Sequence, residues 1–157
     1  MAAADHVDAL RRIPLFSDLN QRQLKRIARD VRERTFEPGA EIVQQGEMSG
    51  IGFFLLMEGE AAVEVDGRRV AKLSAGDHFG ELALITEGTR TATVRAMSRL
   101  RCLELKAWDF REIANQHPDI AWRLLQYVVG VLVEDRARAS RTAAEASLGR
   151  LLAEIAP

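Results

Sequence analysis

Between residues 5 and 34 the apolar positions Leu10, Ile13, Phe16, Leu19, Leu24, Ile27 and Val31 recur at steps of three to five, the spacing of a helix face. Pro14 and the cap-like Ser17 and Asp18 interrupt the run, so two short helices joined by a turn are predicted. From residue 35 to 105 the texture changes. Short apolar runs at 40–44, 52–57, 61–65, 68–73, 92–96 and 100–105 are separated by turn chemistry at Pro38, Gly39, Asp66 and Gly67, with Gly46, Gly59 and Gly76 recurring between runs. Many short strands at such spacing predict a mainly β domain, a sandwich or jelly-roll barrel. Residues 79–85 break that texture with helix-forming types, so a short helix is expected inside the β region.

After Lys106 the pattern is helical: a small helix over 108–116, a break at His117 and Pro118, and a long helix from about residue 119, with proline suited to its first turn. Ile120, Leu124, Leu125, Tyr127, Val128, Val129, Val131, Leu132 and Val133 form a band wider than one stripe, which predicts cover on more than one face. The continuation, 134–157, balances Arg136, Arg138, Arg141 and Arg150 against Glu134, Asp135, Glu145 and Glu154. It reads as a solvated or pairing helix, with Gly149 marking a break before Leu151. No repeat or linker divides the chain, and 157 residues suit one domain.

Composition narrows the function. A net charge of -1, from 22 basic and 23 acidic residues, provides no overall positive field for nucleic acid or an anionic membrane. One cysteine, Cys102, excludes an internal disulfide and suits a reducing, cytoplasmic compartment. The first residues lack a signal-peptide pattern, and no apolar run approaches the roughly 18 residues of a membrane span, so the chain reads as soluble and unprocessed.

The densest chemistry lies at 79–94. Gly80 opens the embedded helix, where first-turn N–H groups can face an anion, and the small Ala83 leaves room beside it. Arg90 supplies a permanently charged fork of donors for a phosphate. Glu81, nine residues earlier, would repel a phosphate but accepts hydrogen bonds from a sugar hydroxyl. Thr91 adds a hydroxyl beside Arg90. The pattern reads as phosphate next to ribose.

These residues resemble the phosphate-binding cassette of cyclic-nucleotide-binding domains, as found in the catabolite activator family, cyclic-nucleotide-dependent kinases and cyclic-nucleotide-gated channels. The likeness covers the cassette, the Pro14-Leu15-Phe16-Ser17 segment, the turns at Gly46, Gly59 and Gly76, and the C-terminal helices, about 7–134 in all. It implies a double-stranded β-helix (jelly roll) with flanking helices and a long C-terminal helix. It also implies that Glu81 takes the ribose 2'-hydroxyl and Arg90 the cyclic phosphate. Backbone at Gly80, Leu82 and Ala83 would complete the cradle, with Phe79, Thr91 and Ala92 in the same ligand-binding cassette. The ligand implied is cAMP or cGMP, with no further cofactor and no metal. Thr89 stands where many members carry proline, and threonine at 91 permits either purine. The long helix would close over the base, with Val131, Leu132 and Asp135 as lid candidates, and its apolar breadth allows a homodimer.

On this reading the chain is one non-catalytic regulatory domain: N-terminal helices over 5–34, a β-roll over 35–105 carrying the cassette, and C-terminal helices over 106–157. Two other functions compete. A cupin-like metal enzyme would need clustered histidines, whereas His6, His78 and His117 are far apart in sequence. A transcription regulator of the catabolite activator type would need a basic recognition helix, so DNA binding would fall to a longer parent or a partner. The bland readings are that His78 is a structural turn residue, Cys102 a small buried thiol, and Trp108, Trp122 and Tyr127 core or interface groups.

Overall fold

Strand β3 (Phe53–Glu58) shows how the core is organised, because its Phe-Phe-Leu-Leu run is buried on both faces. Phe53 and Leu55 point to a cluster shared with the helices, whereas Phe54 and Leu56 point to a second cluster inside the roll. Strand β8 (Leu100–Leu105) repeats the division: Leu103 and Leu105 face the helices, and Leu100 and Cys102 face inward. Continuous apolar sequence arises here because alternate side chains each find a covered layer.

The computed structural model describes residues 3–47, 52–84 and 90–155. Helices α1 (Ala3–Arg11) and α2 (Gln21–Asp30) precede β1 (Arg32–Phe36) and β2 (Glu41–Val43). After β3 come β4 (Ala61–Val65), β5 (Arg68–Leu73), β6 (His78–Phe79), a 3-10 helix (Glu81–Leu84), β7 (Thr93–Ala96) and β8. Helices α3 (Ala107–Gln116) and α4 (Pro118–Ile155) follow. Two four-stranded antiparallel sheets, ordered β1-β8-β3-β6 and β2-β7-β4-β5, form the jelly roll.

Several boundaries differ from the sequence reading. The cap of α2 is Asn20, whose side chain accepts from Gln23 N–H at 2.8 Å while Gln23 Oε1 accepts from Asn20 N–H at 3.1 Å; Ser17 instead donates to the Pro14 carbonyl. That reciprocal pair satisfies two helix-end donors at once. The strand region begins at Arg32, before residue 35. Exposed and charged, β1 carries little apolar signal of its own and is held by pairing with β8 from Arg32↔Glu104 to Phe36↔Leu100. The embedded helix is shorter than expected: 78–79 pair with β3 as a strand, leaving 81–84 as a single 3-10 turn. Its expected last residue, Ile85, lies outside the described residues, as does Thr89.

Helix α4 runs unbroken for 38 residues, so Gly149 does not interrupt it. Pro118 opens it, as its fixed φ favours. Ile120, Leu124 and Val128 are buried against the helix-side core, one narrow stripe at four-residue spacing. Arg123 pairs with Asp18 at 3.3 Å, and Gln23 Nε2 donates to Asp119 at 2.9 Å, tying α4 to the N-terminal helices. Trp122, Leu125, Val129, Val131, Leu132 and Val133 remain exposed. Among the described residues the expected cover on more than one face is not found, and neither Trp108 nor Trp122 belongs to the core. Tyr127 packs partly buried against the core, and Cys102 is fully buried. Among the described residues, no helix is long and apolar enough to cross a membrane.

Candidate functional site

Two glycines bring the cassette against the start of β3. Gly80 adopts φ +94°, and a Cβ there would lie 2.4 Å from the Gly52 carbonyl oxygen and 3.1 Å from Arg90 Nη1. Gly52 is itself at φ +120°, where a Cβ would meet the Leu105 carbonyl at 2.2 Å. Gly59, at φ +91°, makes the same kind of close approach to Arg99 at the opposite end of β3. Positive φ and backbone contact together demand glycine. Gly52 was expected only as the start of a strand; its role follows from packing that the sequence does not spell out.

Arg90 is buried. Its backbone is held on both sides, by Arg90 N–H to the Glu47 carbonyl at 2.7 Å and Gly46 N–H to the Arg90 carbonyl at 2.9 Å. Its guanidinium donates from Nη2 to the Gly52 carbonyl at 2.8 Å, and its buried Nε has no partner among the described residues. Burial pushes the guanidinium pKa down, and the Glu47 carboxylate pulls it partly back. Among the described residues no carboxylate forms an ion pair with it. A desolvated cation with an unused donor is costly, and an anion would satisfy it.

Glu81 begins the 3-10 helix, and its carboxylate is turned onto His78 Nδ1 rather than onto Arg90. The two charges therefore occupy separate places, as ligands for different parts of one molecule must. Ala83 and Leu84 are buried, and Leu84 belongs to the cluster containing Leu124 and Val128 of α4. The Ala83 N–H is used by the Gly80 carbonyl at 3.1 Å. Phe79 stacks on Phe54 inside the roll, with centroids 5.0 Å apart. Thr91 is exposed and Ala92 half-buried in the bend leading to β7; of Leu82 and Asp135 only the backbone is described.

The lid candidates Val131 and Leu132 are 40% and 54% exposed, one to two turns beyond the part of α4 that reaches the cassette. That part is Tyr127, whose ring lies 6.3 Å from the His78 ring. His78 thus sits in a strand between the cassette and α4, which its place beside Asp77 did not suggest. Among the described residues, no group of three or more histidines, cysteines and acids gathers as a metal site.

The profile of the cyclic nucleotide-binding domain matches residues 33–117. The chain belongs to this family. It is 40% identical over 112 residues to a cAMP-dependent protein kinase regulatory subunit of Schizosaccharomyces pombe, covering 71% of this chain and 27% of that protein. A cyclic nucleotide-gated potassium channel of Rhizobium etli is 38% identical over 109 residues, 69% of this chain and 30% of the channel. The chain therefore spans less than a third of either relative's length. The solved N-terminal domain of a transcriptional regulator from Streptomyces coelicolor A3(2) superposes with a TM-score of 0.70 at 30% identity, covering 81% of this chain and 94% of that one. The same domain type thus serves a kinase subunit, a channel and a regulator.

Proposed function

We propose that this chain is a non-catalytic sensor that binds a 3',5'-cyclic purine nucleotide at the cassette and reports it through α4. Arg90 takes the cyclic phosphate, Glu81 the ribose 2'-hydroxyl, and backbone at Gly80, Leu82 and Ala83 closes around the phosphate. Phe79, Thr91 and Ala92 complete the ligand contacts. The observation that carries this reading is the buried Arg90, whose guanidinium donates to the Gly52 carbonyl and whose Nε has no partner among the described residues. A kinase relative named for cAMP makes cAMP the first ligand to test, with cGMP as its competitor.

The coupling follows from packing. Leu84 of the cassette and Leu124 and Val128 of α4 share one core, so a cassette drawn toward phosphate shifts the surface on which α4 rests. Ligand moves that helix by its preference for the closed state. Closure brings the segment containing Val131, Leu132 and Asp135 over the base. The exposed positions Trp122, Leu125, Val129 and Leu132 follow three-four-three spacing, the seam of a two-helix coiled coil, and pair two copies of the chain. Residues 1–157 act as one domain, and any effector lies in other segments or partners. Attachment to a DNA-binding partner is the second reading, favoured by the Streptomyces coelicolor likeness.

Calorimetry with Glu81→Gln tests the sugar assignment. The variant should lose affinity for cAMP and much of its discrimination against 2'-deoxy-cAMP; equal losses for both nucleotides would refute it.

A further inference from the structure

His78 occupies a junction that the phosphate-and-ribose reading leaves unused. On β6 it pairs opposite Leu55 of β3, so its ring faces the helix layer, while the neighbouring Phe79 faces the interior of the roll. The ring packs against Phe53, with centroids 5.4 Å apart, and against Tyr127 of α4 at 6.3 Å. Its Nδ1 meets Glu81 Oε1. An ionised carboxylate only accepts, so Nδ1 carries the proton and donates. One imidazole thus touches the carboxylate assigned to the sugar, the central strand of one sheet and the reporting helix.

We propose that His78 is a positioning residue: it anchors Glu81 by one carboxylate oxygen so that the other meets the ribose, and it transmits that engagement to Tyr127 on α4. This deepens, and rests on, the cyclic-nucleotide reading of the site. The anchoring step follows from the carboxylate's capacity. Two oxygens offer about four acceptor positions, so a single bond to Nδ1 leaves the carboxylate able to take a hydroxyl. A glutamate held beforehand loses less side-chain freedom on binding than a free one, which favours ligands that use it. The transmitting step follows from proximity. The Glu81 charge is felt at Tyr127, whose phenol pKa is raised first by burial and then by that carboxylate. A ribose hydroxyl that shares the Glu81 charge therefore changes the surroundings of the α4 ring directly.

Two substitutions separate the donor from the ring. His78→Phe keeps an aromatic ring between Phe53 and Tyr127 but has no Nδ1; His78→Asn keeps an amide nitrogen close to the Nδ1 position but has no ring. Tyr127 is the chain's single tyrosine, so tyrosine labelled with 13C gives one ring environment to follow by NMR. The wild-type protein should bind cAMP more tightly than 2'-deoxy-cAMP and shift the Tyr127 signal with cAMP. His78→Phe should lower that preference about tenfold, the loss of one hydrogen bond to a charged group at its weaker end, and reduce the Tyr127 shift. His78→Asn should retain most of the preference while losing the shift. An unchanged preference in His78→Phe, or cAMP binding tightened by it, would overturn the anchoring role; an unaltered Tyr127 shift in both variants would overturn the transmission. Wild-type protein that binds neither nucleotide would instead overturn the underlying reading of the site.

Discussion

Replacing Arg90 with methionine sets stability and binding in opposition. The guanidinium is buried and donates to the Gly52 carbonyl at 2.8 Å, and among the described residues Nε has no partner. Removing it forfeits a hydrogen bond from a charged donor, about 1.5–3 kcal/mol, and leaves the Gly52 carbonyl without that donor. It also removes a cation that burial disfavours, and methionine fills the space with apolar contact. These effects oppose each other and leave a net change of about 1 kcal/mol or less, a Tm shift under about 4 °C for a domain of this size. Binding has no such compensation. A phosphate deprived of its cation should cost about 2–5 kcal/mol, a Kd raised about 30- to 4,000-fold. Thermal unfolding of the unliganded protein and calorimetry with cAMP check the two halves. A structural arginine would give the reverse, since breaking a satisfied buried pair costs about 3–5 kcal/mol of stability. Arg90→Met that unfolds easily yet binds cAMP normally when folded would refute the reasoning.

Gly80→Ala should destabilise the domain by about 1–2 kcal/mol or more, from the positive φ alone, and weaken cAMP binding, because the new Cβ lies 2.4 Å from the Gly52 carbonyl that holds Arg90; urea unfolding and calorimetry measure both. The Cys102 thiol is pushed up to about 12 by burial, with Glu104 adding and Arg34 opposing. The folded protein thus keeps that proton above pH 9 where the unfolded chain releases it, so this contribution to stability is complete below pH 9 and falls as pH rises toward 12. Wild type should lose stability relative to Cys102→Ala across that window, and parallel curves would refute the assignment. Leu132→Glu, on the exposed seam of α4, should abolish self-association measured by sedimentation while leaving the monomer folded; an unchanged dimer would place the interface elsewhere.

Strands 61–65, 68–73 and 100–105 stand where the pattern put them: 100–105 is apolar on two covered layers, whereas 68–73 is largely exposed and was marked by the turn at Asp66 and Gly67 that precedes it. Strand β1 was not legible in the sequence, because Arg32, Glu33 and Arg34 owe their extended form to pairing with β8 rather than to their own polarity. The two-residue β6 is fixed by the register Leu55↔His78, a tertiary fact with no local signature. The candidate site shows the same division. Arg90 and Glu81 stand out by chemistry and spacing, but Gly52 and His78 matter through neighbours remote in sequence. Helix α4 carried a broad apolar band, yet the fully buried part of it is the stripe of Ile120, Leu124 and Val128, with Ala121 and Tyr127 partly buried beside it. The remaining apolar positions, Trp122 among them, stay exposed, and the proposed pairing of two copies rests on them.

A structure of the protein crystallised with cAMP tests the central claim most directly. The account predicts the cyclic phosphate within hydrogen-bond distance of Arg90, with Nε now partnered, and the ribose 2'-hydroxyl on Glu81 while His78 still holds its other oxygen. A nucleotide bound elsewhere, or a cyclic phosphate that leaves the Arg90 guanidinium in its present contacts, would contradict it.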